Sequence, residues 1–143
     1  MQKSLKQIIT TFNTYADNHK IIKYFEAKPP TEFTSKDYLY PLQWVELVDD
    51  DVNDGIVIIN MNIYFLDLLK SDNFIKIQSD MLRLCTDFYS YFRDNAQDFG
   101  FLLGKGPMKV SPIVYQFDDD VCGKKMPVNI RVAFSRDEQK IPI

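Results

Sequence analysis

The chain has 143 residues, of which 45% are hydrophobic, 26% charged and 14% aromatic, and its formal net charge is −3. That length suits one domain with a sizeable core, and the composition is too apolar for a disordered chain. The negative balance, with no Lys/Arg run longer than Lys124-Lys125, argues against a dedicated nucleic-acid binder, which carries a basic face.

In chain order, Leu5, Ile8, Ile9, Phe12, Tyr15 and Ala16 stand at helical spacing. They predict an amphipathic helix over residues 4–18 with Ser4 as its N-cap. IIKYFEA follows as a short strand. KPPTEFTSKD is a loop, because Pro29-Pro30 suits neither a helix interior nor a central strand. Beyond Pro41, Leu42, Trp44, Glu46 and Val48 alternate with Gln43, Val45 and Leu47 as in a strand. After VDDDVNDG, the residues Ile59, Met61, Ile63 and Phe65 alternate with Asn60, Asn62, Tyr64 and Leu66. The two runs predict an antiparallel hairpin with one face on the core. Its Asn60/Asn62 side is solvated or packed on a partner.

A second amphipathic helix is predicted over residues 74–96. Met81, Cys85, Phe88 and Phe92 form its stripe, widened by Leu82 and Tyr89. FGFLLGKGP breaks it, and GKGP at 104–107 reads as a flexible connection. KVSPIVYQF and MPVNIRVAF then form two more strands joined by DDDVCGKK. The sum is α+β: a mostly antiparallel β-sheet with two amphipathic helices packed on one face. One domain spans residues 1–134, and residues 135–143 form a C-terminal arm or disordered tail.

The acid-rich stretch VDDDVNDG raises calcium binding. In an EF-hand loop, Asp49, Asp51 and Asn53 would fill positions 1, 3 and 5. Position 6 is then Asp54 where glycine is required, and position 12 is Asn60, which lacks a chelating carboxylate. A hairpin tip explains the stretch better, since Asp54-Gly55 is a strong turn signal. FDDDVCGKK repeats the DDDV and reads as a second tip. As candidate subunit-interface residues the two tips offer Asp49, Asp50, Asp51, Asp118, Asp119 and Asp120 to basic surfaces of a neighbour. The strand edges, the Asn60/Asn62 face, the loop at 28–37, and Ile141 and Ile143 of the arm are the other candidates.

No catalytic constellation is apparent. His19, the one histidine, ends a helix and reads as a C-terminal cation. Cys85 sits on a core stripe, where thiols are inert, and Cys122 in a turn-like segment. No glycine-rich phosphate loop and no C-x-x-C occurs. Trp44 reads as a core anchor. The expectation is a non-enzymatic protein with no cofactor and no metal. With two cysteines and no signal-peptide pattern, a reducing compartment is expected. No apolar run is long enough to span a bilayer.

The stretch DYLYPLQWVELVDDDVNDGIVIINMNIYFLDLL, followed by IQSDMLRLCTDFYSYF, resembles small neck and tail-completion proteins of tailed bacteriophages. The likeness is greatest to those of phages of Bacteroidetes hosts, the crAss-like group included. The shared pattern is a leading amphipathic helix, a YP-x-x-WVEL strand, a Y-F-L-D-L strand, a QSDML helix and a closing hairpin, over about residues 4–134. The resemblance implies a tail terminator-like fold and a virion structural protein, assembled in the host cytoplasm, at the head–tail junction or the top of the tail. It implies self-association into a ring of six or twelve subunits that completes or joins the tail. Portal, neck or tail-tube proteins would be its neighbours. DNA would pass through the lumen without sequence-specific binding. A small non-enzymatic adaptor module of a phage or bacterial host is the alternative reading.

Overall fold

A computed structural model describes residues 3–104, 108–114, 117 and 120–133. The candidates Asp118, Asp119, Ile141 and Ile143, and the arm 135–143, lie outside the described residues.

Helix α1 spans Leu5–Asn18 and starts as the sequence indicates. The Gln7 backbone N–H donates to Ser4 Oγ at 3.2 Å, and the Ser4 N–H donates to Gln7 Oε1 at 2.8 Å. This reciprocal pair satisfies two helix-end donors that would otherwise lack partners. Strand β1 (Tyr24–Ala27) follows, and the 28–41 loop folds into two single turns of 3-10 helix, Pro30–Glu32 and Ser35–Asp37. Strands β2 (Leu42–Asn53) and β3 (Ile56–Leu68) form a long hairpin. Helix α2 (Phe74–Asp94) and the four-residue α3 (Ala96–Phe99) precede strands β4 (Leu102–Leu103), β5 (Ser111–Val114) and β6 (Val121–Ala133).

The six strands form one mixed sheet in the order β1-β2-β3-β6-β4, with β5 also pairing β6. Only the β1–β2 pair is parallel. β3 and β6 pair along their whole lengths, from Ile56–Ala133 to Leu68–Val121. The α+β class expected from the pattern is what the chain adopts.

Both long helices lie on the same sheet face. Ile8, Phe12 and Tyr15 of α1 and Ile77, Met81, Leu84, Cys85, Phe88 and Phe92 of α2 are buried there. They meet Val45, Ile63, Phe65, Met126 and Ile130 of the sheet. Leu82, expected to widen the stripe, is 44% exposed, and Leu84 takes the core position instead. Leu84 stands three residues after Met81 and four before Phe88, about one turn from each and on their stripe, whereas Leu82 is one residue from Met81 and turned away from it.

The opposite face carries a second, smaller core, where the sequence pattern predicted only one apolar face. Leu42, Trp44, Tyr64, Leu66, Ile113 and Val121 are buried under Phe33, Tyr38, Tyr40 and Phe117. The loop that carries Pro29-Pro30, a candidate contact surface, also lids this core through Phe33, Tyr38 and Tyr40. Tyr40 donates its hydroxyl to the Ser35 carbonyl at 2.7 Å. Trp44 is fully buried, as expected of an anchor. The FGFLL stretch after α2 contains β4, with Phe101 and Leu103 buried, and positions 105–107 of the expected flexible connection lie outside the described residues. Cys122 belongs to β6 and is buried, because VCGKK is strand and not turn.

Gln43 stands out on the helix face. It is fully buried beside Phe25 and Phe65, and neither of its amide atoms has a hydrogen-bond partner. Leaving such a group unsatisfied costs about 1–3 kcal/mol. Gln43→Met keeps the length and removes both orphan atoms. We expect it to stabilise the fold by about 2 kcal/mol, or roughly 5 °C in melting temperature. Thermal unfolding followed by circular dichroism checks this, and an unchanged or lower midpoint contradicts it.

Candidate assembly surface

The hairpin turn is shorter than the sequence suggested. β2 runs to Asn53 and β3 starts at Ile56, leaving Asp54 and Gly55 to turn the chain. Gly55 has φ 76°, a left-handed conformation that glycine adopts without a Cβ clash. Asp49, Asp50 and Asp51 are therefore strand residues and not a hairpin tip; they pair with Asn60, Ile59 and Ile58.

A bulge at Val48 decides where these aspartates point. The register shifts between Leu47, opposite Met61, and Asp49, opposite Asn60. Cross-strand partners share a face, so the extra residue moves Asp49 and Asp51 onto the face away from the helices. There Asn60 Nδ2 donates to Asp49 Oδ1 at 2.8 Å and to Asp51 Oδ2 at 3.1 Å. Asn62 Nδ2 donates to Glu46 Oε1 at 2.9 Å, and the Tyr64 hydroxyl donates to the same oxygen at 2.7 Å. Burial, then this bond to Glu46, raises the Tyr64 phenol well above its ordinary range. The half-buried Asn60 and Asn62 are thus fixed rungs of a polar ladder.

The outer edge of β2 is bare from Glu46 onward. β1 pairs with β2 only from Tyr24–Leu42 to Ala27–Val45, then leaves through Lys28 and Pro29. Among the described residues no other strand pairs with positions 46–53 on that side. Leu47 and Val48 are each 54% exposed and Val52 is 72% exposed. A groove of about 460 Å³ opens at the same place, lined by Ile9, Ala27, Pro29, Pro30 and Leu47 among others. A bare strand edge with aliphatic side chains is a template for another chain, and carboxylates along it restrict what pairs there.

The opposite side of the sheet is basic. Lys125 stands opposite Tyr64 and Arg131 opposite Ile58, which puts both on the face that carries Asp49 and Asp51. Leu102 of β4 pairs with Arg131 and is 54% exposed. None of Lys109, Lys125 and Arg131 forms an ion pair among the described residues.

The remaining candidates take structural places. Asp120 is exposed; its carboxylate accepts from Ser35 Oγ at 3.3 Å and its carbonyl accepts from the Leu69 N–H at 2.8 Å. Its carboxylate ties the second core's lid to the start of β6. His19 joins the helices, with Nε2 3.3 Å from Asp87 Oδ2 and Nδ1 accepting from the Ile21 N–H at 3.1 Å. Burial pushes the Cys85 thiol up to about 12, which keeps it protonated and unreactive at neutral pH. Among the described residues no group of three or more His, Cys, Asp or Glu side chains converges as a metal site. No described helix is long and apolar enough to cross a membrane.

Sequence reasoning put Asp49–Asp51 on a hairpin tip and Asn60 and Asn62 on a sheet face; the structure brings Asp49 and Asp51 onto that face beside Asn60 and leaves Asp50 on the other. Sequence reasoning missed Leu47, Val48 and Val52 as exposed edge residues, and Lys125, Arg131 and Leu102 as their counterpart. The alternation of MPVNIRVA carried the Arg131 signal; nothing in the sequence marked the bulge. Bare edge, aliphatic side chains and carboxylates together make a surface suited to another polypeptide. No family model matches this chain, and no curated protein matches it in sequence.

Proposed function

We propose that this protein is a structural component of a tailed-bacteriophage virion. In this reading it forms a ring in the neck or tail that completes or joins the tail and lets DNA pass, without catalysing a reaction. The observation that carries the reading is the bare β2 margin, eight strand residues with exposed Leu47, Val48 and Val52. Repeated subunits need such a surface, and a monomeric fold tends to cover one. The resemblance in YPLQWVEL, YFLDL and QSDML falls on β2, β3 and α2, the elements that build this margin and its support. The net charge of −3 also suits a ring that passes DNA, because negative charge repels phosphates and limits sticking.

Native mass spectrometry and negative-stain imaging over a range of concentrations test the reading. Closed rings of defined copy number are expected, alone or with portal and tail-tube proteins as templates. A chain that stays monomeric with and without those proteins overturns it in favour of a small adaptor module.

A further inference from the structure

We propose that successive copies meet head to tail across their sheet margins. The bare β2 margin of one copy would seat against the basic β6/β4 margin of the next. This rests on the ring reading and names the surface that closes the ring.

Charge is the first argument. Residues 46–54 carry five acids, Glu46, Asp49, Asp50, Asp51 and Asp54, and no base. Residues 121–133 carry three bases, Lys124, Lys125 and Arg131, and no acid. Lys109 is exposed just ahead of β5. The two margins are separated within one molecule by β3, whose side chains there are the neutral Asn60, Asn62 and Tyr64. Strands lie about 4.8 Å apart, so β2 and β6 stand about 10 Å apart, close to a Debye length. Their internal attraction is weak, and the charges are free to be matched by contact with a second copy.

Orientation is the second argument. Two acidic margins repel each other, and so do two basic ones, which disfavours a two-fold dimer through either surface. Acid against base is heterologous, and heterologous contacts generate rings when the rotation closes.

Shape and polarity supply the third. The acidic margin offers Leu47, Val48 and Val52, and the basic margin offers Leu102. Aliphatic side chains flanked by opposite charges give each contact an apolar centre and a polar rim. β4 is two residues long, so it presents little free edge. The bulge at Val48 interrupts the β2 edge as well. The contact is therefore one of side chains and not a continued sheet.

Charge reversal in the full chain tests this. Asp49→Lys with Asp51→Lys, and separately Lys125→Glu with Arg131→Glu, are each expected to weaken self-association at least ten-fold while the circular dichroism spectrum is unchanged. An equimolar mixture of the two double variants, and the quadruple variant, should assemble again, because both restore acid against base. Wild-type assembly should weaken as salt rises. Rings that persist in both double variants, or reversals that the mixture and the quadruple variant fail to rescue, overturn the margin assignment and leave the ring reading standing. A wild-type chain that never self-associates, even with its neighbours, overturns the ring reading itself.

Discussion

Phe92→Ala is expected to cost about 4 kcal/mol of folding stability, read as a lower urea midpoint in equilibrium unfolding. Phe92 is fully buried. Its ring lies 5.0 Å from Phe12, 5.3 Å from Tyr15, 4.7 Å from Phe88, 5.1 Å from Tyr91, 5.0 Å from Phe99 and 6.0 Å from Phe101. Those partners come from α1, α2, α3 and the start of β4, so one side chain joins four segments. Truncation loses the buried area, the edge-to-face contacts and the packing around a cavity that rigid rings fill poorly. A loss under about 2 kcal/mol would mean that the neighbouring rings collapse into the gap. The consequence for the proposed assembly is indirect: α1 and α2 brace the helix face of the sheet, and its margins hold their shape only while that brace is intact.

Elements with a clean period were legible in the sequence. Ile8, Phe12 and Tyr15 follow a helical stripe, and Ser4, expected as the N-cap, closes a capping box with Gln7. Ile59, Met61, Ile63 and Phe65 alternate, and all four face the helices. Failures came where tertiary context overrides period. The Val48 bulge adds one residue to β2, and one residue reverses every side chain after it. Asp49 and Asp51 consequently sit on a face that strict alternation denies them. The second core was hidden because its cover, Phe33, Tyr38 and Phe117, comes from irregular segments with no period to read. β4 was hidden because a two-residue strand carries no alternation at all. The interface candidates divide the same way. The aspartates were visible as composition, whereas their basic counterparts became visible only once β6 was placed two strands away from β2.

This division also explains why the bare β2 margin is plain in space and faint in sequence. Leu47, Val48 and Val52 are ordinary strand residues until β1 is seen to stop at Ala27. A four-residue β1 next to a twelve-residue β2 leaves the longer strand uncovered. The prolines at 29 and 30 end β1 there, since neither carries the N–H that a continuing ladder requires.

Gly123→Ala is expected to cost about 3 kcal/mol of folding stability. A Cβ at Gly123 would overlap the Phe65 carbonyl oxygen and lie 2.9 Å from the Phe65 carbonyl carbon and 3.0 Å from Leu66 Cα. All three atoms are backbone of β3, so no rotamer change relieves the contact. The strands must part in the middle of the sheet, where Gly123 stands opposite Leu66 beside the second core. Gly104→Ala is the informative control. Its Cβ would meet only the side chain of Asn129, which can turn aside, although the Gly104 N–H also donates to the Asn129 carbonyl at 2.8 Å. The loss there should stay below about 2 kcal/mol. Urea unfolding of both variants separates the cases. Equal losses would show that β3 yields as easily as a side chain, and the close approach of β3 and β6 at Gly123 would then not be what holds Lys125 and the basic margin in place.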